Sequence, residues 1–225
     1  MSFVLHLHPL SSFCQKVLMA LYETGTPFEP RMVNLGDAQA RAAYLKLSPF
    51  GKIPTLEDTA RGRAVNESTI IIEYLQQHDP GHLALIPRGA DAALEARLWD
   101  RILDHYVHYP MQRVVADLLR PEAKRDATGV AEARATLRTA YDLIEARLAD
   151  VPHPGGAAFT LADCAAAPAL FYAQATEPFA ATHPRIAAYF DALIERPSFA
   201  RILSEAKPFL TYFPLVDALP ARFTA

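Results

Sequence analysis

The segment Ser48–Leu56 constrains the fold of this chain more than any other stretch. It contains a Gly-Lys-Ile-Pro turn that ends at Pro54 and leads into a predicted short strand. Proline has no amide hydrogen, so inside a sheet it would remove a hydrogen bond of the ladder. Pro54 is therefore predicted either to begin an edge strand or to follow a cis peptide bond. A cis bond would turn the backbone N–H and C=O of Ile53 outward, where an extended peptide can pair with them as an added strand.

The start of an amphipathic helix follows at Asn66–Ile71. Glu67 and Ser68 would stand at the N-terminus of this helix, where free N–H groups and the positive end of the helix dipole favour a carboxylate. Glu67 adds an acceptor for an amine. A ligand that carries both an amine and a carboxylate, such as the end of an α-amino acid, fits this pair of features. The simpler interpretation is an exposed acid that only complements the helix dipole.

Length and composition predict a soluble chain of two small domains. Of its 225 residues, 51% are apolar and 21% are charged, and the net charge is −3. Such a chain has neither the basic field that nucleic acid binding requires nor a polybasic patch for a membrane surface. The N-terminal run Phe3–Leu7 lacks basic residues and is too short for a signal segment or a membrane span. We therefore expect no nucleic acid partner and no membrane partner.

The cysteines of the sequence are Cys14 and Cys164. Two cysteines so far apart provide no disulfide framework and no spacing of metal ligands, so we expect no metal site. Because disulfides are typical of oxidising compartments, the simplest interpretation of this usage is an intracellular, reducing location.

The first 79 residues predict a thioredoxin-like α/β unit. Hydrophobic patterning and turn residues indicate the order strand, helix, strand, helix, and then two strands and a helix. The predicted elements are a strand at 3–8, a helix between the Ser11-Ser12 pair and Gly25, a strand at 28–33, a short helix at about 37–47, a strand after Pro54, a hairpin at 61–63 and a helix from Ser68.

The second half of the chain is predicted to be helical. The expected domains are residues 1–79 and 90–225, joined by a linker over residues 80–89 that contains turn sequences. Pro110 should kink the first long helix of the second domain. A later helix should begin at a capping box of Thr160 and Asp163, and two shorter helices are expected near 184–194 and 198–206. A tail rich in aromatic residues follows.

Three motifs resemble the cytosolic glutathione transferases. Phe50–Pro54 and Asn66–Leu75 resemble the glutathione-binding half of that family, and Phe159–Asp163 resembles its capping box and hydrophobic staple. The resemblance covers nearly the whole chain, and the combination of motifs is specific although each motif alone is weak. It points to the bacterial members that have a serine-type active site.

The resemblance implies a fold, a co-substrate and an activity. The implied fold is an α/β thioredoxin-like N-terminal domain followed by an all-α C-terminal helical domain, and the implied co-substrate is glutathione. The expected protein is a cytoplasmic, homodimeric transferase of detoxification. It would conjugate the glutathione thiolate to a small apolar electrophile in a cleft at the domain interface. The alternatives are a glutathione-dependent isomerase or dehalogenase, and a non-catalytic glutathione-binding regulatory protein.

The catalytic residue is expected in the Ser-Ser-Phe-Cys segment that begins at Ser11. Thioredoxin-like proteins place their reactive residue here because a helix N-terminus stabilises negative charge. By the resemblance, Ser11 would donate its O–H to the glutathione sulfur and lower the pKa of the thiol. Ser12 is the alternative, and helix capping is the interpretation without chemistry. We interpret Cys14 as a buried core thiol, because the partner position of a redox motif holds a serine.

The resemblance also assigns two groups of binding residues. Glutathione binding is expected at Lys52, Ile53, Pro54, Glu67 and Ser68. The electrophile pocket is expected to include Phe13, His105, Tyr106 and Tyr109. A solvated or core role stays open for each of the residues beside Pro110.

Overall fold

A four-stranded mixed sheet organises the first half of the chain in the computed structural model. The strands are β1 (Phe3–Leu7), β2 (Glu29–Met32), β3 (Thr55–Asp58) and β4 (Arg63–Asn66), in the order β2-β1-β3-β4 across the sheet. β1 pairs with β2 in parallel, whereas β3 runs antiparallel to both β1 and β4. Every residue of β1 is buried, including His6, because β1 is a central strand of the sheet.

The structure describes residues 2–79 and 81–224. Pro80, which falls in the predicted linker, lies outside the described residues, as do Met1 and Ala225 at the ends of the predicted domains. The chain divides into two compact units between Ile86 and Pro87.

Three helices complete the first unit. They are α1 (Ser12–Thr24), α2 (Ala38–Tyr44) and α3 (Ser68–His78), and α1 packs against α3. α1 ends at Gly25, whose φ of 70° is the left-handed conformation that closes a helix and suits glycine. The predicted thioredoxin-like order of strands and helices is confirmed, and α2 is shorter than the sequence indicates.

The second unit begins with a long helical segment that changes its winding. α4 (Ala90–Leu103) leads through a π-helical turn (Asp104–His108) into α5 (Tyr109–Leu118). Pro110 lies in the first turn of α5, directly after the π-helical turn. Proline lacks an N–H group and its ring crowds the carbonyl of the preceding turn. The interruption expected at Pro110 thus takes the form of a widened turn just before it, and such turns are frequent at functional sites.

Five further α-helices follow in the part of the second unit that the structure describes. They are α6 (Ala127–Arg147), α7 (Leu161–Thr176), α8 (Pro184–Ile194), α9 (Pro197–Ala206) and α10 (Ala221–Thr224). α7 forms the centre of this unit, since nearly all of its residues are buried and it packs against α4, α5 and α8. The predicted capping box is present at its start. The all-α character predicted for this part of the chain is confirmed.

The C-terminal tail is more regular than the sequence indicates. Its aromatic residues belong to and follow a 3-10 turn, Lys207–Tyr212, and a second 3-10 turn and α10 come after it. Phe213 packs edge-on against Tyr172 of α7 with ring centroids 5.1 Å apart. The sequence does not predict α10, because a helix of four residues is too short to carry a periodic signal.

Candidate active site

Ser11 lies at the junction between β1 and α1. Its backbone is extended, with φ −75° and ψ 116°, and its Oγ accepts a hydrogen bond from the N–H of Cys14 at 3.3 Å. A serine hydroxyl has one proton to donate and two lone pairs that accept. Capping uses a lone pair and does not consume the proton. The capping role of Ser11 and its predicted role towards a sulfur are therefore compatible.

Exposure distinguishes the two adjacent serines. Ser12 is only 3% exposed, whereas Ser11 is half-buried. A hydroxyl that donates to a bound ligand must be accessible, so the difference in burial favours Ser11 over Ser12. Phe13 is also half-buried, so part of its ring is accessible at the start of α1.

His8 holds the backbone that leads to Ser11. The Ser11 N–H donates to the His8 carbonyl at 3.0 Å, and the Leu10 N–H donates to Nδ1 of His8 at 3.2 Å. Burial lowers the pKa of His8, which keeps the imidazole neutral and Nδ1 able to accept at neutral pH. The sequence pattern places His8 at the end of the first strand and assigns it no role at the site. The structure places it one residue beyond β1.

Cys14 lies one turn into α1 and is fully buried. Burial raises the pKa of its thiol to about 12, and hydrogen bonds with the Ser11 side chain and the His8 backbone offset only part of this rise. Because the thiolate is the reactive form of cysteine, a thiol with this pKa is inert at neutral pH. The structure agrees with the interpretation of Cys14 as a core residue.

The turn before β3 ends in a cis peptide bond between Ile53 and Pro54. β3 lies between β1 and β4, so the alternative prediction that Pro54 begins an edge strand is wrong. Pro54 is buried, Ile53 is half-buried and Lys52 is exposed. The side chain of Lys52 is thus accessible next to the backbone of Ile53.

The pairing of β3 with β4 brings the two sequence motifs together. Thr55 at the start of β3 pairs with Asn66 at the end of β4. Pro54 and Glu67 each lie one residue beyond this antiparallel pair, so they are neighbours at the same end of the hairpin. The Ile53–Pro54 turn and the start of α3 therefore form one surface.

Glu67 has an unusual backbone conformation at the start of α3. Its φ is 69° and its ψ is 116°, and its side chain does not cap the helix. A positive φ is uncommon for a residue other than glycine, and such strained residues cluster at functional sites. Glu67 is exposed, whereas Ser68 is buried in the first turn, where the N–H groups have no partner within the helix. An exposed carboxylate thus lies beside a group of N–H donors.

Lys16 of α1 reaches the start of α3, a role that the sequence does not predict. It is fully buried in α1, and its Nζ donates to Oγ1 of Thr69 at 2.9 Å. Lysine is rarely buried without a specific partner. This cation lies behind the N-terminus of α3, where it adds to the positive end of the helix dipole. Because almost all of α1 is buried, its sequence shows no separate exposed and buried faces. The pattern therefore cannot identify Lys16 as a buried lysine.

The predicted pocket residues of the second unit lie on one exposed surface. His105 and Tyr106 belong to the π-helical turn, and Tyr109 is the first residue of α5. The rings of His105 and Tyr109 are stacked, with centroids 5.6 Å apart and an interplanar angle of 11°. Tyr106 and Tyr109 are 54% and 49% exposed. Phe13 belongs to the first unit.

The neighbouring His108 points away from this surface. It is fully buried, and its Nδ1 lies 3.2 Å from Oδ1 of Asp104, which is buried as well. The same π-helical turn thus separates exposed aromatic rings from a buried histidine–aspartate pair. In residues 2–79 and 81–224 no group of three metal-ligating side chains is placed to hold a metal ion. No helix in the same ranges is long and apolar enough to cross a membrane.

Two family models match separate segments of the chain. The model of the glutathione S-transferase N-terminal domain matches residues 5–82. The model of the glutathione S-transferase C-terminal domain matches residues 127–192. The first match contains most of β1, the other three strands and α1 to α3, and the second contains α6, α7 and most of α8.

The chain is also similar to whole proteins along most of its length. Glutathione S-transferase 3 of Zea mays is 32% identical over 204 residues, which cover 87% of this chain and 90% of the relative. A glutathione S-transferase of Silene vulgaris is 28% identical over 92% of this chain and 99% of the relative. A solved glutathione S-transferase of Methylobacterium radiotolerans, in complex with glutathione sulfonate, is 30% identical with a TM-score of 0.78. The match covers 88% of this chain and 93% of that chain.

Proposed function

The chain belongs to the glutathione S-transferase family, and on that premise we propose that it catalyses attack of the glutathione thiolate on a small apolar electrophile. Membership rests on the two domain models and on a 32% identical relative that aligns with 87% of this chain. The prediction that the chain is a glutathione transferase is confirmed by this similarity. Our proposal concerns the reaction, the class of electrophile and the roles of single residues.

The position of the Ile53–Pro54 turn beside the start of α3 carries the proposal. The backbone N–H and C=O of Ile53 pair with the peptide backbone of glutathione as an added strand. The carboxylate of Glu67 accepts from the α-amino group of glutathione, and the N–H groups at Ser68 bind the α-carboxylate. Lys52 binds the carboxylate at the other end of the ligand. A relative that is 30% identical was solved with glutathione sulfonate bound.

Ser11 acts on the sulfur. Its O–H donates to the thiolate, and the N-terminus of α1 adds the positive end of a helix dipole. Both effects favour the thiolate over the thiol and lower the thiol pKa towards neutrality, while the proton passes to solvent. The bound thiolate then attacks the electrophile. With a halogenated aromatic, a carbon–sulfur bond forms and the halide leaves with the bonding electron pair.

The electrophile site of the proposal includes the exposed rings of the π-helical turn. His105, Tyr106 and Tyr109 present flat apolar faces, and the stacked pair offers a surface for an aromatic substrate. The glutathione-binding role belongs to the predicted domain 1–79 and the electrophile-binding role to the predicted domain 90–225.

We propose further that the protein is a homodimer. Leu94 and Leu98 lie one turn apart on α4 and are 67% and 50% exposed, an apolar surface that a second copy would cover. Light scattering at micromolar concentration should give about twice the chain mass of 24.8 kDa. A single species at the monomer mass would disprove the dimer and leave the catalytic proposal intact.

The proposed reaction is tested by calorimetry with glutathione and by an activity assay with chlorodinitrobenzene. Binding should occur with one glutathione per chain, and turnover should release chloride and form the thioether. Retention of glutathione without turnover on a panel of alkyl, aryl and epoxide electrophiles would instead support a binding protein. Absence of glutathione binding would reject the proposal altogether.

A further inference from the structure

A buried hydroxyl anchors the peptide group that precedes Ile53. Tyr44, the last residue of α2, is 4% exposed, and its hydroxyl donates to the carbonyl of Lys52 at 2.6 Å. The hydroxyl of Ser48 donates to the same carbonyl at 2.9 Å. Two side chains therefore hold one backbone oxygen on the interior side of the turn.

The anchored oxygen determines the direction of the next N–H group. The Lys52 carbonyl and the Ile53 N–H belong to the same peptide group, which is planar and trans. In such a group the C=O and the N–H point in opposite directions. Because the oxygen is held inward by Tyr44 and Ser48, the N–H of Ile53 faces outward. In the proposed function, this N–H pairs with the peptide backbone of glutathione.

The same hydroxyl is linked to the end of β4. The Tyr44 hydroxyl lies 2.7 Å from Oγ1 of Thr55, and Thr55 donates to Oδ1 of Asn66 at 2.6 Å. The amide nitrogen of Asn66 donates to the Leu47 carbonyl at 3.2 Å. A carbonyl only accepts, so this last bond sets the orientation of the Asn66 amide, and its Oδ1 accepts the Thr55 proton. The Tyr44 proton is then shared between the Lys52 oxygen and Thr55.

The hydrogen-bonded chain ends next to the strained residue of the site. Asn66 directly precedes Glu67, whose φ is 69°. Both ends of the Asn66 amide are held, which fixes the backbone that enters Glu67. Burial raises the pKa of Tyr44, and hydrogen bonds with Thr55 and Ser48 offset part of the rise. The phenol therefore stays protonated at neutral pH and acts as a donor.

We propose that Tyr44, Thr55 and Asn66 form a positioning relay, which aims the Ile53 N–H at glutathione and fixes the backbone that presents the Glu67 carboxylate. None of the three residues touches glutathione. The relay joins the two halves of the glutathione site through one continuous set of hydrogen bonds, of which the Tyr44–Thr55 bond is buried and the others are partly buried. It deepens the proposed function and depends on it. In this relay Tyr44 is the central residue, because it alone bonds to both Lys52 and Thr55.

The test compares Tyr44→Phe with Tyr74→Phe. Tyr74 is the matched control, since it is a buried tyrosine of the same unit whose hydroxyl donates to Asp58 at 2.8 Å. Glutathione Kd by calorimetry, KM, kcat, the thiol pKa of bound glutathione and the melting temperature are measured for both. Tyr44→Phe should raise Kd and KM for glutathione about threefold to tenfold, the effect of one misplaced hydrogen bond. Its kcat and thiol pKa should match those of the wild type, because Ser11 is unchanged.

A second variant tests the anchor itself. Tyr44→Phe leaves the Ser48 bond to Lys52, so Tyr44→Phe combined with Ser48→Ala should raise Kd by more than the product of the single effects. Ser48→Thr, which keeps a hydroxyl, should bind glutathione more tightly than Ser48→Ala does. Unchanged Kd and KM for glutathione in the folded double variant would reject the relay. A rise of Kd and KM in Tyr74→Phe equal to that in Tyr44→Phe would also reject it. A wild-type protein that does not bind glutathione would instead reject the proposed function.

Discussion

The helices α3 and α7 begin in opposite ways. At α7, Asp163 accepts from the Thr160 N–H at 2.7 Å, and the capping box is complete. At α3, the residue before the helix is Glu67, its φ is 69° and its side chain makes no capping bond. α7 satisfies its own N-terminus, whereas at α3 an exposed carboxylate lies beside N–H groups that have no partner within the helix.

The difference separates a structural helix start from one that is available to a ligand. Asp163 is fully buried and also accepts from Tyr189, and it lies 2.8 Å from Nδ1 of His153. Every bond of that carboxylate is internal. Glu67 has a positive φ and no side-chain capping bond, and such strained residues cluster at binding sites. Ser11 is intermediate, since it caps α1 and keeps a proton to donate.

The largest effect is expected for the buried cap. Asp163→Ala should lower the free energy of unfolding by about 3 kcal/mol, because it leaves several buried donors without an acceptor. Denaturant unfolding measures this loss. Asp126→Ala is the control, since Asp126 caps α6 through the Gly129 N–H at 2.8 Å from an exposed position, and its loss should be smaller. An equal loss of unfolding free energy in both variants would show that burial of the capping residue makes no difference.

Ser11→Ala should affect chemistry more than stability. Removing one preorganised donor to a developing anion typically costs about a hundredfold in kcat, whereas the lost cap costs about 1 kcal/mol of stability. Glutathione Kd should change little, and the thiol pKa in the pH–rate profile should rise. Ser12→Ala is the matched control. A normal profile in Ser11→Ala together with a shifted one in Ser12→Ala would assign the role to Ser12.

Glu67→Ala should affect binding more than stability. The loss of a hydrogen bond to a charged amine should weaken glutathione binding by about 1.5–3 kcal/mol, measured by calorimetry. Glu67→Gly should lose the same affinity but gain up to about 1 kcal/mol of stability, because glycine adopts a positive φ without strain. An affinity equal to that of the wild type in either variant would contradict the role of Glu67 as the amine partner.

The smallest effect on activity is expected for Cys14. Cys14→Ala should retain near-wild-type conjugation, and native protein should resist alkylation at this thiol at neutral pH. Because the folded pKa is raised from 9.0 to about 12, the native state holds the proton more tightly than the unfolded state. The stability from this group is present below pH 9 and is lost as pH rises towards 12. The free energy of unfolding should therefore depend on pH equally in wild type and Cys14→Ala below pH 9 and fall more steeply with pH in wild type above it. An equal pH dependence of the two proteins above pH 9 would contradict the raised pKa.

The sequence alone was sufficient for the features that depend on neighbours along the chain. The strand and helix order, the end of α1 at Gly25, the capping box at Thr160 and the cis alternative at Pro54 were all predicted. Each depends on the backbone preferences of one residue or on side chains within about one helical turn. The same reasoning identified Glu67 and Ser68 as a helix start that favours a carboxylate.

The tertiary structure decided which polar groups meet. Lys16 reaches Thr69 across 53 positions of sequence, and the relay from Tyr44 to Asn66 depends on how β3 pairs with β4. The left-handed backbone of Glu67 is likewise held by its surroundings, since glutamate has no preference for it. Such pairs follow from packing, because a buried donor bonds to whatever acceptor the fold brings near. Local sequence carries no information about that neighbour, so only the tertiary structure shows these pairs.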